Sequence, residues 1–172
     1  TYGNSWMPGT FAPTAHYTVQ AHTEPLPDGT YPKFAPAGGR TAWFPVQPIQ
    51  RAVEGALGPD PRRVTLSNDE RLFAFLPWPA YLGISRGASG SFELWDQRMA
   101  EVRRLAATSD PAAFARDSAH TKFGPIDIFV LTKQPDGGWM WRDQRFSRSQ
   151  FDTTQWTIVD DLPVNVVVTV RR

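Results

Sequence analysis

The sequence predicts an α/β domain: a small mixed parallel and antiparallel sheet with flanking helices and a C-terminal β-hairpin, preceded by a Pro-rich N-terminal wrap. Three observations predict it. Two apolar strand-like runs, at 63–66 and 126–131, are separated by helical patterns, long enough for the right-handed crossover that makes strands parallel neighbours. The last 17 residues hold two further strand-like runs around a Pro-containing turn. Finally, half of the 16 prolines fall before Ile49, which denies that region long helices and central strands. The expected organisation is an irregular wrap over 1–45 and a compact domain over 46–172.

Taken in order, the wrap carries Trp6, Phe11, Tyr17, Tyr31, Phe34, Trp43 and Phe44, rings too large and numerous for a solvated linker, so it is expected to pack against a core or a neighbour. Pro27-Asp28-Gly29 and Gly38-Gly39 supply turns. Ile49, Val53, Ala56 and Leu57 recur at helical spacing and Gly58-Pro59 stops them. Arg63 to Leu66 reads as a strand. Ser67 followed three residues later by Glu70 reads as a capping box for a helix over 68–76 that buries Leu72, Phe75 and Leu76 and ends at Pro77-Trp78-Pro79. After a flexible connection at 83–90, the clearest helix runs from Ser91 to Ala107 with Phe92, Trp95, Met99, Val102, Leu105 and Ala106 on one face. Asp110-Pro111 caps and opens a short helix through Phe114 and Ala115. Ile126 to Leu131 is expected as the central strand, Trp139 to Arg142 as a strand running back after Pro135-Asp136-Gly137-Gly138, and 156–160 with 165–171 as an antiparallel pair.

Composition narrows the chemistry. With 18 Lys and Arg against 17 Asp and Glu in 172 residues, the chain lacks the cationic excess of a nucleic-acid binder. It has no Cys, which excludes thiol catalysis, thiolate-bound zinc and disulfides. No cofactor is expected, since no glycine-rich phosphate loop is present. His16, His22 and His120 lack metal-ligand spacing, and no serine sits in a nucleophile elbow. The adjacent carboxylates Asp69/Glu70 and Asp160/Asp161 point in different directions on a helix or strand and so make no acid/base dyad. No run is long enough to span a membrane and no signal segment opens the chain, so these residues are expected to be a soluble fragment or processed product.

Two sets of residues remain as binding candidates. In an open α/β sheet ligands collect at the carboxyl ends of strands, here Ser67-Asn68-Asp69 and Thr132-Lys133-Gln134, although capping and solvation account for the same residue types. Trp139 and Trp141 would share one strand face, with Arg142 pointing away; flat rings there either meet sugar C–H groups or form the packed face of an edge strand. The candidate substrate-binding residues are therefore Trp139, Trp141, Arg142, Asn68 and Asp69. Carbohydrate suits the near-neutral charge better than a single-stranded nucleic acid, which requires a positive groove.

The segments RVTLSNDERLFAFLPWPAYLG at 63–83, FELWDQRMAEVRRLAATSDPAAFA at 92–115, FGPIDIFVL at 123–131 and the terminal NVVVTVRR together resemble the C-terminal extracytoplasmic part of polytopic arabinofuranosyltransferases of the actinobacterial cell wall. The resemblance implies a parent with a membrane-embedded GT-C body that transfers arabinofuranose from decaprenyl-phosphoryl arabinose, a polyprenyl-phosphate sugar donor, to cell-wall galactan. It implies no catalytic residue in this chain, because the family's proposed catalytic carboxylates lie on loops of the membrane body. The domain would stand on the extracytoplasmic, periplasmic side of the cell membrane and position arabinogalactan acceptor or support the membrane body. The competing expectation is a purely structural interaction domain of another polyprenyl-phosphate-sugar-dependent glycosyltransferase; an independent soluble enzyme is the third.

Overall fold

The computed structural model describes residues 25–26, 28–31, 40, 42–83 and 94–172. The chain divides into two units, residues 1–45 and 46–172. In the first, the expected turn forms at Asp28-Gly29: Asp28 Oδ1 accepts from Thr30 N at 2.9 Å and Thr30 Oγ1 at 2.7 Å. Gly29 has φ 88°, and a Cβ there would come within 2.9 Å of the Trp43 ring, so turn and ring together demand glycine. Most of the expected wrap, with Trp6, Phe11, Tyr17, Phe34 and the Gly38-Gly39 turn, lies outside the described residues.

The second unit is a small open mixed sheet with flanking helices. Its elements are α1 (Val46–Leu57), β1 (Thr65–Ser67), α2 (Arg71–Phe75), α3 (Trp95–Ala107), α4 (Pro111–Ala119), β2 (Ile128–Lys133), β3 (Trp139–Trp141), β4 (Gln144–Phe146), β5 (Trp156–Val159) and β6 (Val166–Arg171), with 3₁₀ turns at Arg148–Gln150 and Pro163–Asn165. β2 is central, as its unbroken apolar run requires. β6 lies antiparallel along one edge of it, pairing Ile128 with Val170 through Thr132 with Val166, and β5 pairs outside β6. The other edge of β2 is shared. β1 runs parallel to its first half, Thr65 opposite Ile128, while β3 runs antiparallel to its end, Thr132 opposite Met140. The carboxyl ends of β1 and β3 therefore face each other across a break in the sheet.

Helices cover both faces. On one, Met99, Val102 and Leu105 of α3 and Phe114 of α4 pack with Leu66, Phe129, Leu131, Trp156 and Val167. Phe114, Phe129, Phe146, Phe151 and Trp156 form a ring cluster with mostly edge-on contacts, such as Phe114 to Phe151 at 4.9 Å and 73°. On the opposite face, Val46, Ile49 and Val53 of α1 are buried, as are Val166, Val168 and Val170 of β6. Asp110 caps α4 as expected, its Oδ1 accepting from Ala113 N at 2.6 Å, and Pro111 takes the first helical position.

The structure corrects several expectations. The capping box of Ser67 and Glu70 does not form. Ser67 Oγ instead bonds locally to Asp69, accepting from its N at 3.1 Å and donating to its O at 3.0 Å, and α2 begins only at Arg71. A hydroxyl this close to its own backbone closes a tight turn more readily than it reaches a helix three residues on. Phe75, expected in the core, is 50% exposed at the end of a helix too short to bury two apolar faces. The capping box present is Ser147 with Gln150, on the 3₁₀ turn after β4. β4 itself had no strand-like signature, since Gln144 and Arg145 interrupt its apolar pattern. The helix expected from Ser91 begins at Trp95, after Leu94 in left-handed backbone; residues 84–93 lie outside the described residues.

Candidate functional site

The break between β1 and β3 brings three of the five candidate residues together, Asn68, Trp141 and Arg142. Asn68, one residue past β1, spans it. Its Nδ2 donates to Thr132 Oγ1 at 3.1 Å and to Met140 O at 2.9 Å, and its Oδ1 accepts from Arg142 N at 2.7 Å. The indole of Trp141 donates from Nε1 to Ser67 O at 2.9 Å. Asp69, next in line, turns away into a pair with Arg71, whose Nε donates to Asp69 Oδ1 at 2.8 Å. The strand ends that the sequence singled out for ligand docking are thus joined to each other.

Trp139 and Trp141 do share a face, and it is the packed one. Trp139 is 3% exposed, with its ring 5.4 Å from that of Phe151, and Trp141 is fully buried. Neither offers a flat face to sugar, which corrects the sugar-contact expectation: the rings form the packed face of β3, and β3 is an interior strand paired with both β2 and β4 rather than an edge. The strand alternates as expected, but helices cover the side that the rings occupy. Among the described residues, Phe75 is the one exposed large ring.

Arg142 occupies the first position of the two-residue turn between β3 and β4, with φ 53° as primed hairpin turns require. Its guanidinium lies 4.7 Å from the centre of the Trp141 ring and 5.8 Å from that of Trp95, and its Nη2 donates to Gly83 O at 3.1 Å. Burial pushes the guanidinium below its ordinary value, against the opposing charge of Asp143. Trp95 Nε1 donates to the same Gly83 carbonyl at 3.3 Å. Ser67, Asn68, Glu70, Phe73, Leu82 and Arg142 enclose a cleft of about 50 Å³, room for a water molecule or one small group and no more.

A larger groove of about 300 Å³ lies between the end of α3 and the turn after β4, lined by Ala106, Ser109, Arg145, Ser147, Ser149 and Gln150. Gln150, 2% exposed, closes its floor. Its Nε2 donates to Leu105 O at 3.2 Å and Thr108 O at 2.6 Å, quenching the orphan carbonyls of α3, while its Oε1 accepts from Ser147 N at 2.6 Å. Sequence reasoning passed over Gln150, although the Ser-x-x-Gln spacing at 147–150 was a signal for it. Trp95 and Gly83 gave no comparable sign.

Among the described residues, no group of three or more His, Asp or Glu side chains is placed to hold a metal ion. His16 and His22 lie outside them. No described helix is long and apolar enough to cross a membrane. The arrangement defines an α/β domain whose strand-end polar groups are bound to one another. Compared with protein-family models and with curated proteins, the chain matches none.

Proposed function

We propose that this chain is a non-catalytic accessory domain of a membrane arabinofuranosyltransferase, standing on the extracytoplasmic side and supporting the membrane-embedded body of its parent. The family half of this reading rests on the ordered resemblance of the four segments between residues 63 and 172. The accessory half rests on one observation: Asn68 has its amide committed on both sides, to Thr132, Met140 and Arg142, at the place where an open sheet of this kind would bind substrate. A group whose hydrogen bonds are spent on its own chain holds a fold together; it has little left with which to orient a ligand. In this reading the polyprenyl-phosphate donor and the galactan acceptor are handled by the membrane body. Acceptor contact, if this domain makes one, falls outside Trp139 and Trp141.

The test is a titration of the chain with galactan and arabinan fragments, followed at the indole N–H signals. The expected result is that Trp139 and Trp141 stay unmoved up to millimolar ligand; saturable shifts there would restore the platform. Incubation with decaprenyl-phosphoryl arabinose and galactan should give no transfer, and turnover by the isolated chain would sink the accessory role. Deleting residues 46–172 from the parent should lower the amount of folded transferase in membranes while leaving activity per folded molecule intact.

A further inference from the structure

β4 ends the sheet on one side, with β3 as its single ladder partner among the described residues. Trp141 and Gln144 flank the two-residue turn and so exchange ladder hydrogen bonds with each other, and Trp139 and Phe146 do the same. Between these pairs Arg145 lies opposite Met140. Met140 gives its backbone to β2, where it pairs with Thr132. Arg145 points its N–H and C=O the other way, out of the sheet, and among the described residues nothing bonds them. Two residues on, the edge is closed, because Ser147 N donates to Gln150 Oε1 at 2.6 Å and Ser147 O accepts from Gln150 N at 3.0 Å.

An exposed strand edge is ordinarily screened by its own charged side chains. Here the screen is drawn back. Arg145 Nη1 donates to Asp136 Oδ2 at 2.8 Å, and the guanidinium lies against Gly138, where an added Cβ would collide with it. Asp136 is fixed in turn, its Oδ1 accepting from Gly138 N at 3.0 Å. Both residues belong to the turn that leads into β3, so the arginine leans across β3 and leaves its own outward backbone uncovered. The groove of about 300 Å³ opens beside that backbone. Ala106 and Ala107 are small enough to leave it room, and Ser109 brings a hydroxyl. Ser147 and Ser149 share one hydroxyl bond at 2.8 Å, which leaves one proton of the pair to donate. The flanking charges cancel in pairs, Arg145 with Asp136 and Arg148 with Asp160.

We propose that the free edge of β4 and this groove take up an extended, uncharged peptide rich in hydroxyl side chains, which adds to the sheet by exchanging backbone hydrogen bonds with Arg145. A strand laid there gives one residue's N–H and C=O to Arg145. The residues on either side of it turn their side chains to the face that carries Phe146 and the end of α3, where the serine hydroxyls meet them. The balanced ion pairs match a neutral chain better than an acidic or a basic one. The inference does not depend on the transferase reading.

The probe is a blocked peptide of alternating serine and threonine, titrated into the 172-residue chain and followed at the backbone amide signals. Arg145, Ser147, Ser149 and Ala107 should shift saturably at millimolar peptide, and exchange of the Arg145 amide hydrogen should slow in the complex. The same peptide N-methylated throughout cannot donate, and should bind roughly fivefold more weakly or worse. Arg145→Pro removes the outward N–H without breaking a ladder bond, a change that edge strands tolerate, and should weaken binding roughly fivefold more than Arg145→Ala, which keeps that N–H. Should the proline variant fail to fold, the N-methylated peptide still decides. Equal binding of the two peptides, equal binding by the two folded variants, or no saturable shift would overturn the proposal. So would shifts at these amides that arabinan fragments produce and the peptide does not, which assign the groove to a glycan. Shifts there on concentrating the chain alone, with none added by the peptide, would give the edge to a second copy and overturn it too.

Discussion

Arg142 holds a backbone conformation that costs an ordinary L-residue roughly 1–2 kcal/mol, and it is not glycine because its side chain stacks on Trp141 and ties Gly83. Two substitutions separate these effects. Arg142→Ala loses the stack and keeps the strain, so it should be the less stable; Arg142→Gly loses the stack but relaxes the turn, and should recover about 1 kcal/mol in urea unfolding. Equal stability of the two would show that the turn stores no strain. Val164 is the opposite case: at φ 58° and ψ 32° it is a β-branched residue in left-handed backbone, and its side chain is 54% exposed. With little packing to lose, Val164→Gly should raise stability by up to about 1 kcal/mol. Trp139→Ala tests burial directly. Truncating a buried ring should cost about 3 to 5 kcal/mol, whereas an exposed sugar-contacting ring would cost little.

Between elements, two amides act as joints. Asn68 joins β1 to β3 across the break in the sheet, and Asn68→Ala would strand Met140 O, Arg142 N and Thr132 Oγ1 at once. A loss of about 2 to 3 kcal/mol is expected, with hydrogen exchange at the β3–β4 hairpin accelerating more than at β5 and β6. Gln150 joins the end of α3 to the turn after β4. Gln150→Ala should speed exchange selectively in the last turn of α3, because Ala106 O and Thr108 O lose their side-chain donor there. The elements themselves were largely legible: α1, α3, α4, β2, β5 and β6 follow apolar periodicity that burial rewards. β4 was not, since three residues with Gln and Arg among them become a strand only because β3 offers a ladder. The short α2 was legible as a helix within 68–76, but its start was not, because Ser67 bonds Asp69 in place of capping it.

At the scale of the whole molecule, two ion-paired aspartates, the half-buried Asp117 and the exposed Asp136, contribute to the acid limb of stability. Arg104 and then Arg116 hold the Asp117 carboxyl below its usual range, and Arg145 with the Gly138 N–H does the same for Asp136. A carboxylate with a lower pKa folded than unfolded adds stability above its unfolded value, and that stability is lost as pH falls through the folded one. The urea midpoint should therefore decline on acidification below about pH 4, less steeply in Asp117→Asn and Asp136→Asn. The Arg145–Asp136 pair is exposed and the arginines on Asp117 reach into solvent, so added salt should flatten the decline, more for Asp136 than for Asp117.

The amino-acid sequence by itself determined the mixed α/β character, the parallel approach of 63–66 to 126–131, the terminal antiparallel pair and the absence of thiol chemistry, because periodicity, turn residues and composition are local properties. It named Trp139, Trp141, Arg142, Asn68 and Asp69, but could not say what they face. Only the tertiary structure decided that, by laying helices over the ring-bearing face of the sheet and by setting two strand ends head to head, where one asparagine closes the gap. Which face of a strand is covered depends on elements far away in the chain, and no local pattern carries that information.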